Sequence, residues 1–333
     1  MKTIRQRLAV LTVSLMTTGA LGAMAAPAVA AGGSPDASPE TGGAQAAAQS
    51  CTKATDQESG ASAKYEITSG DDTRTYILHL PKNYEQHRNW PLIVAYHGRG
   101  STGTEIEGFS GLSSLPAVVA YPNGEIGTGS GYRQAWQGAP YAPPGVDDVK
   151  FTSDLLDQLQ SDYCVDPSRT YATGKSNGAG FVNLLACRMA DRFAAFAPTS
   201  GAFYPQATEG CDSAKPVALL DIHGTGDSTI PYAGDPDRKL PAIRSYVADW
   251  AARDKCDPNP STRRIGTDVT VYDWTNCAAG DVEHVAVTGG GHVWPGTNTY
   301  SGGGHVTHTI AAQDVMWRFF SEHRLAAPRG AMS

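Results

Sequence analysis

Beyond its N-terminal segment, this chain of 333 residues has no apolar run approaching the roughly 18 residues that a membrane-spanning helix requires. It also has no C-x-x-C pair, so zinc-ribbon and thiol-redox chemistry lack their usual sequence basis. Positive charge is scarce: 26 Lys and Arg stand against 33 Asp and Glu, a formal net charge of −7. That balance argues against binding to nucleic acid or to an anionic membrane. No segment repeats at a fixed period, which sets aside solenoids and propellers. His292, His305 and His308 have no carboxylate or thiol at ligand spacing, so no metal is expected there.

Residues 1–30 carry Lys2, Arg5 and Arg7, an apolar run from Leu8 to Ala23, and the small residues Ala28-Val29-Ala30. This is the pattern of a secretory signal with an A-x-A cleavage site, and it predicts an extracellular protein. Residues 31–50 hold Ala, Gly, Ser, Pro and Gln without a large apolar side chain, a composition that reads as a flexible linker. The rest, 51–326, has the length of one large α/β domain, expected as a monomer. With Lys2, Arg5 and Arg7 taken from the 26 cations, 23 face 33 acids, and the exported chain carries about −10. All six cysteines fall in this part, where an oxidising compartment favours three disulfides among 15 connectivities. Cys256 and Cys277 bracket a Pro-rich turn and one strand and are expected to pair. Cys187 with Cys211 and Cys51 with Cys164 complete the set.

Residues 64–68 and 73–80 read as paired strands around Gly70-Asp71-Asp72. The continuous apolar runs at 91–96, 117–121 and 217–223 have the character of strands buried on both faces. Further strands are expected at 171–173, 193–200, 269–274 and 285–288. Helices are expected from Asp147 or Asp148 to about Tyr163, after Ser176, over 243–253 and over 309–323. Such alternation predicts a mostly parallel sheet with helices on both faces. Residues 123–146, with Tyr132, Trp136 and Tyr141 irregularly spaced, read as a loop over the sheet that lines a site or pins itself down.

The segment Gly174-Lys175-Ser176-Asn177-Gly178 lies where a β-prone run gives way to helical spacing of Phe181, Leu184, Leu185 and Met189. G-x-S-x-G at a strand-to-helix turn is the nucleophile-elbow pattern. A serine there projects clear of the backbone while flanking glycines admit close approach. Ligands of open α/β sheets sit beyond the carboxyl ends of strands, so the partners of Ser176 should follow later strands. Asp227 and His292 do so, in the order Ser, Asp, His. Asp221 is the rival acid, but it lies inside its strand; His97 and His223 read as structural. The expected oxyanion donors are the N–H groups of Asn177 and Arg99. Gly98 to Gly103 spells G-x-G-x-x-G after a strand, yet no second strand ends in Asp or Glu at the distance a dinucleotide site needs. No cofactor is expected.

The wording around these residues resembles the secreted feruloyl esterases of the carbohydrate-esterase family that also holds acetylxylan esterases and relatives of poly(3-hydroxybutyrate) depolymerases. The matching segments are Pro91-Leu-Ile-Val-Ala-Tyr-His-Gly98, Ala135-Trp-Gln-Gly-Ala-Pro-Tyr141, Gly145-Val-Asp-Asp-Val149, Tyr171-Ala-Thr-Gly-Lys-Ser-Asn-Gly178, His223-Gly-Thr-Gly-Asp227 and Gly291-His-Val-Trp-Pro295. The resemblance implies an α/β-hydrolase fold and hydrolysis of hydroxycinnamoyl esters on plant cell-wall polysaccharide. It also places Trp136 and Trp294 at the substrate. His97-Gly-Arg-Gly100 departs from the His-Gly-Cys common in the depolymerase branch. An acetylxylan or polyester esterase would use the same triad; a secreted acyltransferase and a non-catalytic carbohydrate-binding protein are the rival classes.

Overall fold

The computed structural model describes residues 51, 53–129, 131–211 and 215–326. The expected signal and linker, 1–30 and 31–50, lie outside them. β1 (Ser62–Ser69) and β2 (Asp72–His79) form an antiparallel hairpin whose turn places Gly70 at φ 62°, a region that a residue with a Cβ rarely enters. β3 (Trp90–Tyr96), α1 (Gly103–Ser110) and β4 (Val118–Pro122) follow. A small pair, β5 (Glu125–Ile126) and β6 (Gln134–Ala135), interrupts the long loop before α2 (Asp148–Asp162). The Asp147 side chain caps α2 by accepting from Lys150 N. Next come β7 (Val165–Lys175), α3 (Asn177–Arg188), β8 (Ala195–Thr199), β9 (Leu219–Gly224) and α4 (Ile243–Arg253). The order closes with β10 (Ser261–Ile265), β11 (Val269–Trp274), β12 (Val282–Val287) and α5 (Ala312–Glu322).

One sheet holds ten of these strands in the order β1-β2-β4-β3-β7-β8-β9-β12-β11-β10. Its centre from β4 to β12 is parallel and both edges are antiparallel. The period of two along β3 separates two cores. Leu92, Val94 and Tyr96 pack with Phe151 and Leu155 of α2, Phe181 of α3 and Trp250 of α4. Ile93 and Ala95 face the other way, toward Ile106 of α1 and Met316, Phe319 and Phe320 of α5. Covered on both faces, the central strands bury their whole length, which is why they read as continuous apolar runs. Among the described residues no helix is long and apolar enough to cross a membrane.

Four elements escape the sequence reading: the β5–β6 pair inside the stretch read as loop, β10 and α1. β10, Ser-Thr-Arg-Arg-Ile, is an exposed edge strand defined by its antiparallel pairing to β11 rather than by any apolar pattern. α1 holds two glycines in eight residues, and its start is set by Thr102, whose hydroxyl accepts from Glu105 N. The disulfides are Cys51–Cys164, Cys187–Cys211 and Cys256–Cys277, the pairs named from the sequence.

Candidate active site

Ser176 stands between β7 and α3 at φ 57°, ψ −116°, a conformation that costs about 1–3 kcal/mol for a residue with a side chain. The surrounding backbone imposes it: Ser176 N donates to Thr199 O at 3.0 Å, and Ser176 O accepts from Gly180 N and Ala202 N, each at 3.0 Å. The elbow glycines follow from the same crowding. A Cβ on Gly178 would lie 2.2 Å from Tyr96 O, and one on Gly174 would lie 2.7 Å from the Gly178 carbonyl carbon. Only without those side chains can α3 start so close to β3 and β7.

Asp227 occupies the turn after β9. Its Oδ1 accepts from Thr229 N and Ile230 N, both at 2.8 Å, and its Oδ2 accepts from His292 Nδ1 at 2.7 Å. His223 Nε2 donates to Ile230 O at 3.0 Å and lies 3.4 Å from the same Oδ2. Burial alone would raise the Asp227 carboxyl; the hydrogen bonds from His223 and His292 reverse this and hold it well below the usual carboxylate range. It is therefore a fixed anion. Because an ionised carboxylate only accepts, His292 carries its proton on Nδ1 and leaves Nε2 as the basic nitrogen.

His292 follows β12 in a loop clamped at both sides, with its N–H on Gly303 O at 2.8 Å and Gly291 N on His305 O at 2.9 Å. A Cβ on Gly302 would fall 1.8 Å from His292 O, so this loop closes over the histidine only as glycine. Desolvation lowers the His292 pKa; the Asp227 hydrogen bond opposes it, and the Lys175 charge adds to the lowering. The imidazole is thus neutral at pH 7, as a general base must be.

Ser176, His292, Arg99, Lys175, Tyr141 and Tyr204 line one cavity of about 620 Å³. The Ser176 hydroxyl makes no hydrogen bond to another described residue and is open to this space. Gly98 abuts the elbow, a Cβ there meeting Ser176 Cβ at 3.4 Å, and the backbone N–H groups of Arg99 and Asn177 donate to no group among the described residues. Donors of that kind beside a nucleophile can receive a developing oxyanion. Lys175, immediately before Ser176, is buried, and desolvation lowers it to about 8. Among the described residues no group of three or more His, Cys, Asp or Glu is arranged to hold a metal ion.

Trp136 and Trp294 do not reach the cavity, which corrects their expected role at the substrate. Both are 0% exposed. Trp136 packs on Tyr96 and Phe181 and donates its indole N–H to His97 O at 2.9 Å, while its backbone N–H donates to Asn177 Oδ1. Trp294 donates to Ser110 O. The indole N–H groups find their partners in the interior, so Trp136 acts as packing beside the elbow and Trp294 as packing against α1. The residues of the long loop that do line the cavity are Arg133 and Tyr141. The irregular aromatic spacing marks Tyr141 only together with Tyr132 and Trp136, and nothing in the sequence separates Arg133 from other surface cations. Lys175 lay inside the elbow motif without a role assigned to it.

A family model described as the prolyl oligopeptidase family matches residues 108–228, a span that takes in Ser176 and Asp227 and stops before His292. Feruloyl esterase B of Piromyces equi is 29% identical over 233 residues, 66% of this chain and 42% of that protein, so the chain spans under half of that relative's length. A probable feruloyl esterase C of Aspergillus terreus is 31% identical over 196 residues, 55% of this chain and 67% of the relative. Among solved structures, the acetyl xylan esterase from Aspergillus awamori superposes with a TM-score of 0.55 at 17% identity over 78% of this chain and 99% of that one, a likeness of α/β-hydrolase fold. Sequence identity at this coverage, on this fold, places the chain in the feruloyl esterase family of carboxylic ester hydrolases.

Proposed function

We propose that this chain is an extracellular serine esterase that hydrolyses feruloyl and related hydroxycinnamoyl esters of plant cell-wall arabinoxylan. In this reading residues 1–30 are a removed signal, 31–50 a linker and 51–326 the catalytic domain. The observation that carries it is the 2.7 Å hydrogen bond from His292 to buried Asp227, with His292 lining the same cavity as Ser176 on its strained elbow. His292 Nε2 takes the Ser176 proton as Oγ attacks the ester carbonyl. Asp227 holds the tautomer and stabilises the imidazolium that forms. The N–H groups of Arg99 and Asn177 receive the oxyanion. Collapse expels the sugar alcohol with the proton from His292 and leaves an acyl-Ser176, which water, activated by the same histidine, hydrolyses.

A feruloyl acyl group suits the cavity, since about 620 Å³ is in the range that encloses small organic ligands and far exceeds what an acetyl group fills. The names of both relatives point the same way. The test is a side-by-side measurement of initial rates on methyl ferulate, acetylated xylan and a hydroxybutyrate oligomer, with mass spectrometry of enzyme quenched during ferulate turnover. The expected result is preference for the ferulate and a feruloyl adduct on Ser176. Faster turnover of the acetylated xylan would replace this reading with an acetyl esterase on the same triad.

A further inference from the structure

The chain is acidic, with 33 carboxylate residues against 26 cations, yet the wall of its cavity has the opposite sign. Arg99, Arg133 and Arg238 all line it, and Glu105 is the one carboxylate among the described lining residues. Arg238 is neutralised by Asp235 at 2.6 Å. The other two arginines have no ion pair among the described residues. Arg99 is held in place by the face of Tyr141, 4.2 Å from its guanidinium carbon, and by one long bond from Nη2 to Thr128 O at 3.3 Å; its Nε is buried without a partner. Arg133 runs alongside the oxyanion loop, so close that a Cβ on Gly100 would meet its Cδ at 3.1 Å, and it is exposed at the rim. Two unneutralised guanidinium groups beside one reaction centre, that of Arg99 held by Tyr141 and Thr128, are unexpected on a chain of net charge −7.

We infer that Arg99 and Arg133 form a subsite for a carboxylate carried by the polysaccharide, making this an esterase that selects ester groups on uronic-acid-bearing glycan. The inference rests on the esterase reading above and adds the charge of the substrate to it. A polymer cannot enter a cavity of about 620 Å³, so only the acyl group and the sugar bearing it approach Ser176, and the rest of the chain crosses the mouth where Arg133 is exposed. The charge met at the rim is therefore that of the glycan. A guanidinium offers a carboxylate two parallel N–H donors, a geometry that a neutral xylose or arabinose hydroxyl cannot fill.

The experiment compares kcat/KM for two feruloylated xylo-oligosaccharides of equal length, one carrying a single glucuronic acid and one without it, for the wild type, Arg133→Lys and Arg133→Glu. At an ionic strength of ~0.01 M the wild type should favour the uronate substrate by at least threefold, and the ratio should approach one at ~0.5 M as charges are screened. Arg133→Lys should keep part of the preference and Arg133→Glu should invert it, with thermal midpoints matching the wild type to show that both variants are folded. Turnover of both substrates with a ratio near one at low salt, or a ratio indifferent to Arg133→Glu, overturns the subsite. Calorimetric binding of the unesterified uronate oligosaccharide to the wild type separates this failure from that of the ester reading. Salt-sensitive binding without turnover of either ester keeps the subsite and removes the feruloyl substrate, whereas neither binding nor turnover overturns the inference.

Discussion

The same two strands, β9 and β12, carry two Asp–His pairs of nearly identical geometry. Asp221 and His284 face each other across the parallel register, with Nδ1 on Oδ2 at 2.8 Å. Asp227 and His292 sit in the loops that leave those strands, at 2.7 Å. The difference is at the far nitrogen. His284 Nε2 accepts from Tyr232 OH at 2.7 Å, and both members of the pair are fully buried. His292 lines the cavity that Ser176 also lines, and its Nε2 has no hydrogen bond to a described residue. In the mechanism proposed above, a buried Asp–His pair is a structural clamp where its second nitrogen is closed by a donor, and a general base where that nitrogen is left open beside the nucleophile.

The sharpest way to break this comparison is to remove each histidine in turn. His292→Ala and Ser176→Ala should each lower kcat by about 10⁶-fold with folding retained, because nucleophile and base act as a unit, while Asp227→Asn should cost less, about 10⁴-fold. His284→Ala should leave kcat within about tenfold of wild type. Initial rates on methyl ferulate with each purified variant decide it. A Ser176→Ala enzyme with near-wild-type turnover would falsify the mechanism, and a His284→Ala enzyme as inactive as His292→Ala would erase the distinction between the pairs.

Stability should rank them in the reverse order. His284→Ala strands the Asp221 carboxylate in the sheet interior, where its Oδ1 already lacks a partner, and breaking a buried pair of this kind costs about 3 kcal/mol or more. His292→Ala leaves Asp227 with Thr229 N, Ile230 N and His223, so its loss should be smaller. Denaturant unfolding of the two variants measures both. Equal losses would mean that the loop pair is as structural as the strand pair.

How much of this was visible in the sequence depended on whether a residue's role is set locally. The parallel strands were legible because burial on both faces leaves continuous apolar runs, and Ser176, Asp227 and His292 were placed by rules tied to strand ends. Position alone favours Asp227 over Asp221 in the sequence; in the structure Asp221 is bonded to His284, whose other ring nitrogen is closed by Tyr232. Trp136 was misplaced because an irregular loop carries no periodicity to say which way a ring points, and its indole partner, His97 O, lies 39 residues away. Arg133 was invisible for a similar reason: its place at the rim depends on β5 pairing with β6.

The open pair should also show itself in the pH dependence of the rate. Protonation of His292 Nε2 removes the base, so kcat/KM falls as pH falls. Since burial and the nearby Lys175 charge lower the His292 pKa, the acid limb should lie below the ordinary histidine value of about 6.5 and leave full activity at pH 7. Lys175→Met removes one of the three lowering influences, burial, Lys175 and His223, and should move that limb toward higher pH. A pH–rate profile of kcat/KM for the two enzymes reads this directly, and a limb that stays in place or moves downward would remove Lys175 from the electrostatics of the site.

The smallest effect is expected from Tyr232→Phe, which tests what closes the structural pair. The ring stays, so packing is retained, and only the hydroxyl that donates to His284 Nε2 is lost. That nitrogen becomes a buried acceptor without a donor, a change worth about 1 kcal/mol of stability and no more than about twofold in kcat. The activity term carries the information, because Tyr232 lies five residues beyond Asp227, on the segment whose Thr229 and Ile230 N–H groups hold the Asp227 carboxylate. If the pairs are independent, thermal unfolding shifts slightly and the rate does not. A rate loss above about tenfold with an intact fold would show that the clamp fixes the 227–232 turn and, through it, the base, so that the closed pair serves the open one instead of standing apart from it.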